Sequence, residues 1–578
     1  MKWMRKFQVR LKGLTDAVTR FPLTTLFLVC AAILNAYLII YKNENMKWLM
    51  TFIIGAFLSA VSQVVFERFF SKASSRLTLM GLVTLLTAGY YLIIMNAPDS
   101  GMDVEIRTAV ALFSLLIAFI WVPVIKSNIS FNKSFMITFK AFFLSLFFSA
   151  VLFGGISIIL GAIDQLIFRI DPEFYGQMAN VVFILFAPMF FLSLIPAINH
   201  AEEEDINQSA HCPKFLEVLL SYIVIPLIAV FTMILIVYMI KNIGGKFWTD
   251  NLLEPMLVTY AITVILVYIL VSELANKFAA YFRTLFPKIL IPIVLFQITS
   301  SVISLSDTGI THTRYYVILF GLFAAITGFI FSLLPVRKNG VVALLLIIFA
   351  AISIVPPVDA FTISRTSQTS TLKEVLLKNK MLEDHKIKPN SHISDKDKLR
   401  ITNAVQYLYM MGYTKNIDWL PKDFNAYNDF YETFGFKEYQ KPADYVQSIY
   451  LSMKQPTPID ITGHDIFVQT DLNSAENPSN AIICHIKKSG KTYTLVKDQH
   501  ALKLTGADDS ELISFKTTQI FDKFDQYQTS NGELTPDEAT FTTENSRAKL
   551  TIVVQNINIE KQYKQYNDAF LFVFVEIK

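Results

Sequence analysis

The chain has 578 residues, of which 53% are hydrophobic and only 17% are charged, and its net charge is +4. Soluble globular proteins typically contain about 25% charged residues, so this composition excludes an ordinary soluble protein over the whole length. The near-balance of charge gives no support to nucleic-acid binding, which favours a strongly basic surface.

Residues 1–20 are predicted to form a basic cytoplasmic N-terminus that leads into a long apolar stretch. This stretch is too long for the hydrophobic part of a secretory signal and lacks an Ala-x-Ala cleavage site, so we expect a retained helix. Phe27–Cys30 superficially resembles a lipidation sequence, but Val29 stands where such sites carry a small residue.

Residues 21–360 are predicted to form an all-α polytopic transmembrane helical bundle of about eleven spans. Most of the apolar stretches approach the length of about 20 residues that crosses about 30 Å of hydrocarbon. Helices are required because lipid offers no hydrogen bonds to an open backbone. The predicted spans are Phe21–Tyr41, Trp48–Phe66, Leu77–Met95, Thr108–Ile125, Phe135–Leu160, Met178–Ile195, Leu216–Ile240, Met256–Leu274, Ile289–Leu305, Tyr315–Leu334 and Val341–Val355.

The Lys and Arg residues outside the spans predict the orientation. The side that holds the N-terminus carries more than twice as many of them as the other side. Positively charged loops remain in the cytoplasm, so the N-terminus is predicted to be cytoplasmic. An odd number of spans then places the C-terminal domain outside the cell membrane.

Three neutral polar residues lie deep in predicted spans: Asn35, Gln63 and Gln297. They are candidates for lining a conduction or substrate path. The alternative is that they join helices through hydrogen bonds, which contribute about 0.6 kcal/mol on average in membranes. Charged residues such as Glu67 and Lys140 fall near helix ends, where they can reach the headgroups.

Pro188, Pro226 and Pro292 interrupt three predicted spans. Broken helices form binding sites in some transporters. Proline is also ordinary in membrane helices, where neighbouring groups satisfy the freed carbonyls. No inverted repeat is recognisable, so the prolines alone do not predict a transporter.

One predicted cytoplasmic loop concentrates metal-binding residue types: His200, Glu202–Asp205, His211 and Cys212. Together these could chelate a divalent metal. A solvated acidic loop between two helices is the favoured interpretation, because no fixed ligand spacing is recognisable. The sequence therefore predicts no metal site, no cofactor and no catalytic residue, and whether this loop binds metal stays open.

Charged residues at the outer helix ends raise the alternative of a membrane-embedded transferase. They are numerous enough to supply an acid–base pair with a cationic clamp. Any short outer loops would contain similar residues, so enzyme activity stays uncertain and we lean against it. The residues are Asp99, Asp103, Glu105, Arg107, Asp164, Arg169, Asp171, Glu173, Asp250, Glu254, Asp307 and Arg314.

The C-terminal part is predicted to be a Ser/Thr-rich linker, residues 361–372, followed by a soluble α+β domain, residues 373–578. From Thr362 onward there are 26 basic and 28 acidic residues, again without a basic excess. Its one cysteine, Cys484, cannot form an internal disulfide, so an apolar core must stabilise the domain.

Helices are predicted first in this domain and strands afterwards. Ser394 followed by acidic residues predicts an N-cap for a helix that ends near Gly412, and a second helix is predicted over Ala443–Met453. Ser489–Gly490 predicts a hairpin turn. The predicted strands are Asp465–Leu472, Ala481–Ile486, Lys491–Val496, Glu511–Thr517, Lys549–Glu560 and Ala569–Lys578.

Lys487–Thr492 resembles the end of a phosphate-binding loop. The earlier glycine that such a loop requires is replaced by His485, and the flanks predict a hairpin rather than strand, loop and helix. Nucleotide binding is therefore not predicted there. Asp508, Asp509 and Glu511 do not match the calcium-loop spacing either, and an exposed turn is the better interpretation.

Several short segments stand out together: Arg20–Leu23 at the entry to the first span, Ile363–Ser367 leading to Leu372–Leu376, Ile393–Lys398, Val405–Leu408 and Trp419–Pro421. In these segments the chain resembles a bacterial family catalogued as domain of unknown function 4153. The resemblance implies a multi-pass membrane protein of unassigned activity, and it transfers no catalytic residues.

The sequence thus predicts an integral membrane protein with a large outer domain that binds a ligand or partner. A transport or envelope-assembly accessory role is favoured, because no inner segment is long enough for a signalling output. An envelope sensor or an outer-face transferase are the alternatives. The expected partners are the lipid bilayer and another membrane or envelope protein, not nucleic acid.

Overall fold

The structure, a computed structural model, divides into two compact units, Met1–Tyr439 and Gln440–Lys578. It describes residues 13–42, 46–95, 101–197, 203–242, 254–421, 423–439, 448–454, 456–473, 481–498, 500–527, 531–561 and 567–578.

Eleven apolar helices form most of the first unit. Ten helices within the described ranges have the length and composition to cross a membrane, and the eighth apolar helix has only 17 residues. The prediction of a helical bundle with about eleven spans is therefore confirmed, and the count differs by one helix at most. The helices are α1 (Pro22–Tyr41), α2 (Lys47–Phe69), α3 (Ala73–Ile94), α4 (Met102–Trp121), α5 (Phe131–Leu166), α6 (Glu173–Ser193), α7 (Lys214–Lys241), α8 (Glu254–Leu270), α9 (Lys277–Thr308), α10 (His312–Leu333) and α11 (Gly340–Ile354).

The helix surfaces divide into packing faces and lipid-facing faces. On α5, for example, Phe142, Phe143 and Phe147 are exposed, whereas Ser145 and Ser149 are buried. In a soluble protein the apolar side chains would be buried and the polar ones exposed. The opposite distribution is expected where lipid surrounds the helices. Residues 13–20 are helical and precede α1, and a short helix, Glu203–Ala210, lies between α6 and α7.

Two spans contain a π-helical turn directly before a proline. Val181–Phe186 in α6 precedes Ala187-Pro188, and Leu219–Val224 in α7 precedes Ile225-Pro226. Proline lacks the N–H that the preceding turn requires, and a π turn is one way in which a helix absorbs that irregularity. Two of the predicted interruptions therefore alter the helix locally without ending it.

The segment 361–372, predicted as a linker, is helical, so that prediction is wrong. It belongs to α12 (Ala360–Lys378), whose N-cap Asp359 accepts hydrogen bonds from the backbone N–H groups of Phe361 and Thr362. The Ser/Thr composition suggested a loop, yet Ser364 and Gln368 are buried at helical spacing with Leu372 and Val375.

The rest of the first unit packs on α12. A two-stranded hairpin, β1 (Leu382–Glu383) and β2 (Lys386–Ile387), leads to α13 (Asp395–Met410), and a short helix, α14 (Phe430–Phe434), follows. The predicted N-cap is confirmed, because the Ser394 hydroxyl accepts a hydrogen bond from the N–H of Asp397. The boundary between the two units lies between Tyr439 and Gln440, after these helices.

The second unit is rich in strands, as predicted. The strands are β3 (Ser448–Met453), β4 (Ile466–Asn473), β5 (Ala481–Lys488), β6 (Lys491–Asp498), β7 (Ala501–Thr505), β8 (Glu511–Lys516), β9 (Asn531–Leu534), β10 (Thr540–Glu544), β11 (Ala548–Glu560) and β12 (Asp568–Ile577). A six-stranded sheet has the order β4-β12-β11-β3-β9, with β10 paired to β11, and a four-stranded meander has the order β5-β6-β7-β8.

All six predicted strands are present, and the hairpin turn has positive φ at both Ser489 and Gly490. The predicted helix over Ala443–Met453 is wrong from residue 448 onward, because Ser448–Met453 is a strand and residues 443–447 lie outside the described ranges. Its inner residues Ile449, Leu451 and Met453 alternate, which is the period of a strand. Two further helices, α15 (Thr518–Phe524) and Pro536–Ala539, complete the unit.

Candidate functional site

An apolar groove of about 340 Å³ lies among five membrane helices. Its walls come from α1, α2, α4, α5 and α6. The lining residues are Thr24, Leu28, Ala56, Phe57, Ala60, Leu115, Leu116, Phe119, Phe142, Ser145, Leu146, Phe183, Ala187, Pro188, Phe191 and Leu192.

The groove has an open side and a buried floor. At the open side, Phe142 and Leu146 are 51% and 44% exposed, and both face the surface that lipid would cover. At the floor, Thr24 and Phe119 are only 3% and 5% exposed. The groove therefore extends from the lipid-facing surface of the bundle into its interior.

Small side chains and the irregular helix α6 create the space. Ala56 and Ala60 leave room on α2, and Ala187 with Pro188 follows the π turn on α6. Helix packing in membranes usually brings small residues into close contact. Here the alanines face a groove that the surrounding side chains do not fill.

The two polar residues in the lining are both engaged. The hydroxyl groups of Thr24 and Ser59 lie 2.8 Å apart, and the Ser145 hydroxyl donates to the Ala187 carbonyl at 2.6 Å. Both side-chain hydroxyl groups of the described groove lining therefore already have a hydrogen-bond partner within the protein. Because the other lining residues are apolar, the groove is suited to a hydrocarbon ligand.

A charged clamp, formed by Arg20 and Glu67, lies next to the floor of the groove. The Arg20 guanidinium donates to both oxygens of Glu67 at 2.8 Å and to the carbonyl of Ile195 at 2.6 Å. Phe119 lines both the groove and the small pocket that contains Arg20 and Glu67. Phe119 thus lies between the apolar groove and a partly buried ion pair.

Gln63, one of the predicted polar candidates, belongs to this clamp. Its amide nitrogen donates to Glu67 at 3.0 Å, and its amide oxygen accepts from Arg76 at 3.0 Å. Arg76 also donates to the carbonyl of Arg20 at 2.7 Å. Gln63 therefore joins two opposite charges at a helix end, and it does not line the groove.

The other two candidates lie apart from the groove. The Asn35 amide donates to Asn180 at 3.0 Å, which ties α1 to α6. The Gln297 amide nitrogen donates to the carbonyl of Val317 at 3.3 Å, while its oxygen is buried and has no hydrogen-bond partner among the described residues. The structure does not bring Asn35, Gln63 and Gln297 together.

The charged residues at the predicted outer helix ends have separate local partners. Arg169 lies 3.6 Å from Asp164, Asp171 accepts from the backbone of Glu173, and Glu254 bonds to Ser301. Asp99 and Asp250 lie outside the described residues. Within the described ranges, no group of three or more His, Cys, Asp and Glu residues could hold a metal ion. This holds for the described part of the His211 loop, whereas His200 and Glu202 are not described.

The strongest charged contact at these ends involves a residue that sequence reasoning missed. Arg107 donates to Asp359 at 2.6 Å and to the carbonyl of Ile354, and its guanidinium lies over the Phe361 ring. The Asp359 side chain is fully buried. Burial opposes ionisation, but hydrogen bonds from Thr362 and Phe361 and the charge of Arg107 outweigh it and lower the pKa of Asp359. The sequence does contain a signal for this residue, because Asp is a favoured N-cap and Asp359 stands directly before the helix.

No curated protein and no solved structure matches this chain. A family model described as Domain of unknown function (DUF4153) matches residues 27–386, which include α12 and the groove helices, except for the first residues of α1. The match extends over more than half of the chain and ends before the strand-rich unit. The chain is therefore an integral membrane protein that belongs to the DUF4153 family.

Proposed function

We propose that this protein assists transport or envelope assembly in a bacterial cell membrane and that its membrane helices bind a single hydrocarbon chain in the groove. The observation that supports this is an apolar groove with a lipid-facing side and a buried floor. Small-molecule sites commonly occupy about 300–1,000 Å³ and have mainly apolar walls. The acyl or polyisoprenyl chain of a lipid fits both properties.

Photolabelling tests the lipid site. The full chain is reconstituted with a lipid that carries a diazirine in its acyl chain, irradiated and digested. We expect labelled peptides from α4, α5 and α6 at the groove. Ala60→Phe places a ring in the groove and should reduce this labelling to background, because the space that the chain occupies is lost.

A matched control uses the same substitution at another membrane position. Ala88 on α3 is exposed and does not line the groove, so Ala88→Phe should leave the labelling unchanged. Equal labelling of the groove peptides in wild type, Ala60→Phe and Ala88→Phe would overturn the lipid site, because it would show only general contact with the bilayer.

The orientation is part of the proposal. The uneven distribution of Lys and Arg supports a cytoplasmic N-terminus and an extracytoplasmic strand-rich unit. Thr24, Phe119 and Leu192, at the groove floor, lie within one turn of helix ends that this rule assigns to the cytoplasm. Alkaline phosphatase, which is active only outside the cytoplasm, should be active when fused after Lys578. Activity of a fluorescent protein at the same position, with an inactive phosphatase, would reverse the orientation.

An accessory role also implies a protein partner in the membrane or envelope. Cross-linking in intact cells, followed by purification in mild detergent, should yield one such protein in a constant ratio to this chain. Recovery of a homogeneous chain without an associated protein would contradict the accessory role, and it would leave the lipid site to be judged by the photolabelling result.

A further inference from the structure

The six-stranded sheet of the second unit has two chemically different faces. On β12, Ala569, Leu571 and Val573 are buried in the core, whereas Phe570 and Phe572 point to the opposite face and are half-buried. On the neighbouring strand β4, Phe467 is 54% exposed. Phe467 and Phe570 thus lie on the face opposite Ala569, Leu571 and Val573, where a strand would ordinarily carry polar side chains, while Phe572 on that face packs against buried core residues.

A β-bulge adds polar groups beside these rings. The register of β11 against β12 shifts between Val554 and Asn556, so Gln555 is the extra residue. Val554 lies opposite Leu571 on the core side, and Asn556 lies opposite Phe570. Bulges redirect side chains and are frequent near binding sites. Here the bulge directs two consecutive amide side chains toward the face that carries Phe570.

One of these rings, Phe570, and the two amides border an open recess of about 560 Å³. Strand register explains its composition, since Phe570 pairs with Asp471 and Asp568 pairs with Asn473. The side chains that line it are those of Asp471, Asn473, Gln555, Asn556, Asp568 and Phe570, with Leu472 and Ala569 beneath. The recess therefore combines one aromatic surface with carboxylate and amide groups.

Some polar groups of the recess have protein partners, and one has none among the described residues. The Gln555 amide oxygen is buried and has no hydrogen-bond partner among the described residues. Asn558 donates to Asp568 at 3.2 Å, and Lys497 lies 3.6 Å from the Asp471 carboxylate. Two carboxylates and one ammonium leave a net negative charge, which disfavours anionic ligands.

We infer that this recess binds a neutral oligosaccharide composed of hexopyranose units. The C–H face of a pyranose ring packs on an aromatic ring such as Phe570. Sugar hydroxyl groups donate to the carboxylates of Asp471 and Asp568 and accept from the amide of Asn556. Uncharged sugars keep most of their hydroxyl groups in contact with water, which suits an open recess rather than a closed pocket. This inference is independent of the lipid groove.

Calorimetric titration of the full chain, in nanodiscs or in a detergent without a sugar headgroup, tests it. The probes are neutral hexamers of N-acetylglucosamine, β-linked glucose and α-linked glucose, with hexagalacturonate as the anionic control. We expect binding of at least one neutral hexamer and none of hexagalacturonate. If no neutral hexamer binds, or if hexagalacturonate binds more tightly, the inference is overturned.

Variants locate the binding. Asn556→Ala and Asp471→Asn should each weaken binding by about tenfold, because each removes a hydrogen bond to the sugar. Asp509→Asn, at an exposed turn of the same unit outside the recess, is the matched control and should bind like wild type. Unchanged unfolding temperatures confirm that the variants fold, and unchanged affinity in both recess variants would place the sugar elsewhere.

Discussion

Asp359 combines two stabilising roles at one carboxylate, because it caps α12 and pairs with Arg107. Loss of an N-cap costs about 1 kcal/mol. Removal of one partner of a buried ion pair costs about 3–5 kcal/mol. Since Arg107 retains 26% exposure, we expect Asp359→Ala to lose about 3 kcal/mol, near the lower limit of that range. Thermal unfolding in detergent measures it, and an Asp359→Ala protein that unfolds like wild type would contradict both roles.

The pH dependence separates the charge from the cap. Asp359→Asn keeps a cap acceptor but loses the charge, so it should be less destabilised than Asp359→Ala. The pKa of Asp359 is lowered in the folded state from its ordinary value of 3.8. Its stabilisation is therefore present above pH 3.8 and is lost as the pH falls through the lower folded pKa. The difference in unfolding temperature between wild type and Asp359→Asn should persist at neutral pH and diminish only in that acid range.

Asn35 and Gln297 should respond differently to the same substitution. Asn35→Leu breaks the bond to Asn180 and should cost about 0.6 kcal/mol, the average for such bonds in membranes. Gln297→Leu removes one long bond but also a buried acceptor that has no partner in the described structure, so it should be neutral or stabilising. Chemical unfolding in detergent compares them. Equal destabilisation by both would refute this explanation of the buried amide.

At the scale of whole helices, close contact leaves too little room for a side chain at some glycines. A Cβ on Gly328 of α10 would lie 2.8 Å from Ile291 and 3.1 Å from the Pro287 carbonyl of α9. A Cβ on Gly154 of α5 would meet nothing within 4 Å. Gly328→Ala should therefore lower the unfolding temperature, whereas Gly154→Ala should leave it unchanged or raise it through helix propensity. The reverse order would show that these two helices do not pack as described.

Sequence patterns predicted helices and strands well where one physical signal dominated. Spans follow from the length of an apolar run, and the hairpin at Ser489–Gly490 follows from local turn chemistry. The helical nature of 361–372 was missed because Ser364 and Gln368 are buried through tertiary hydrogen bonds, to Tyr407 and to the carbonyl of Thr308. Such partners are distant in sequence, so composition could not indicate them.

The groove was not predictable from sequence for a related reason. Its walls are ordinary apolar residues from five helices, and none of them carries a recognisable motif. Pro188 was identified as an interruption of α6, but the groove that it lines is also bordered by the small side chains of Ala56 and Ala60 on α2. Polar residues attract attention in a membrane sequence, yet Asn35 and Gln63 hold helices together, and the space lies between apolar side chains.

At the scale of the molecule, the position of the unit boundary has a direct consequence for fragments. The predicted soluble domain begins at residue 373, inside α12, whose residues Phe361, Leu372 and Val375 share a core with α13. A fragment 373–578 would cut that helix and expose part of its core. A fragment 440–578 keeps the whole core of the second unit, which includes Leu495, Phe524 and Leu571.

We therefore expect the fragment 440–578 to be soluble and to unfold in one cooperative transition with a strand-type circular dichroism spectrum. Small domains with a single core usually behave in this way. The fragment 373–578 should aggregate, or retain the same transition together with a helical part that is readily digested by protease, because α13 has lost the helix that it packs on. A cooperative, protease-resistant 373–578 fragment combined with an unfolded 440–578 fragment would place the boundary before residue 373 and would show that the second core depends on α13.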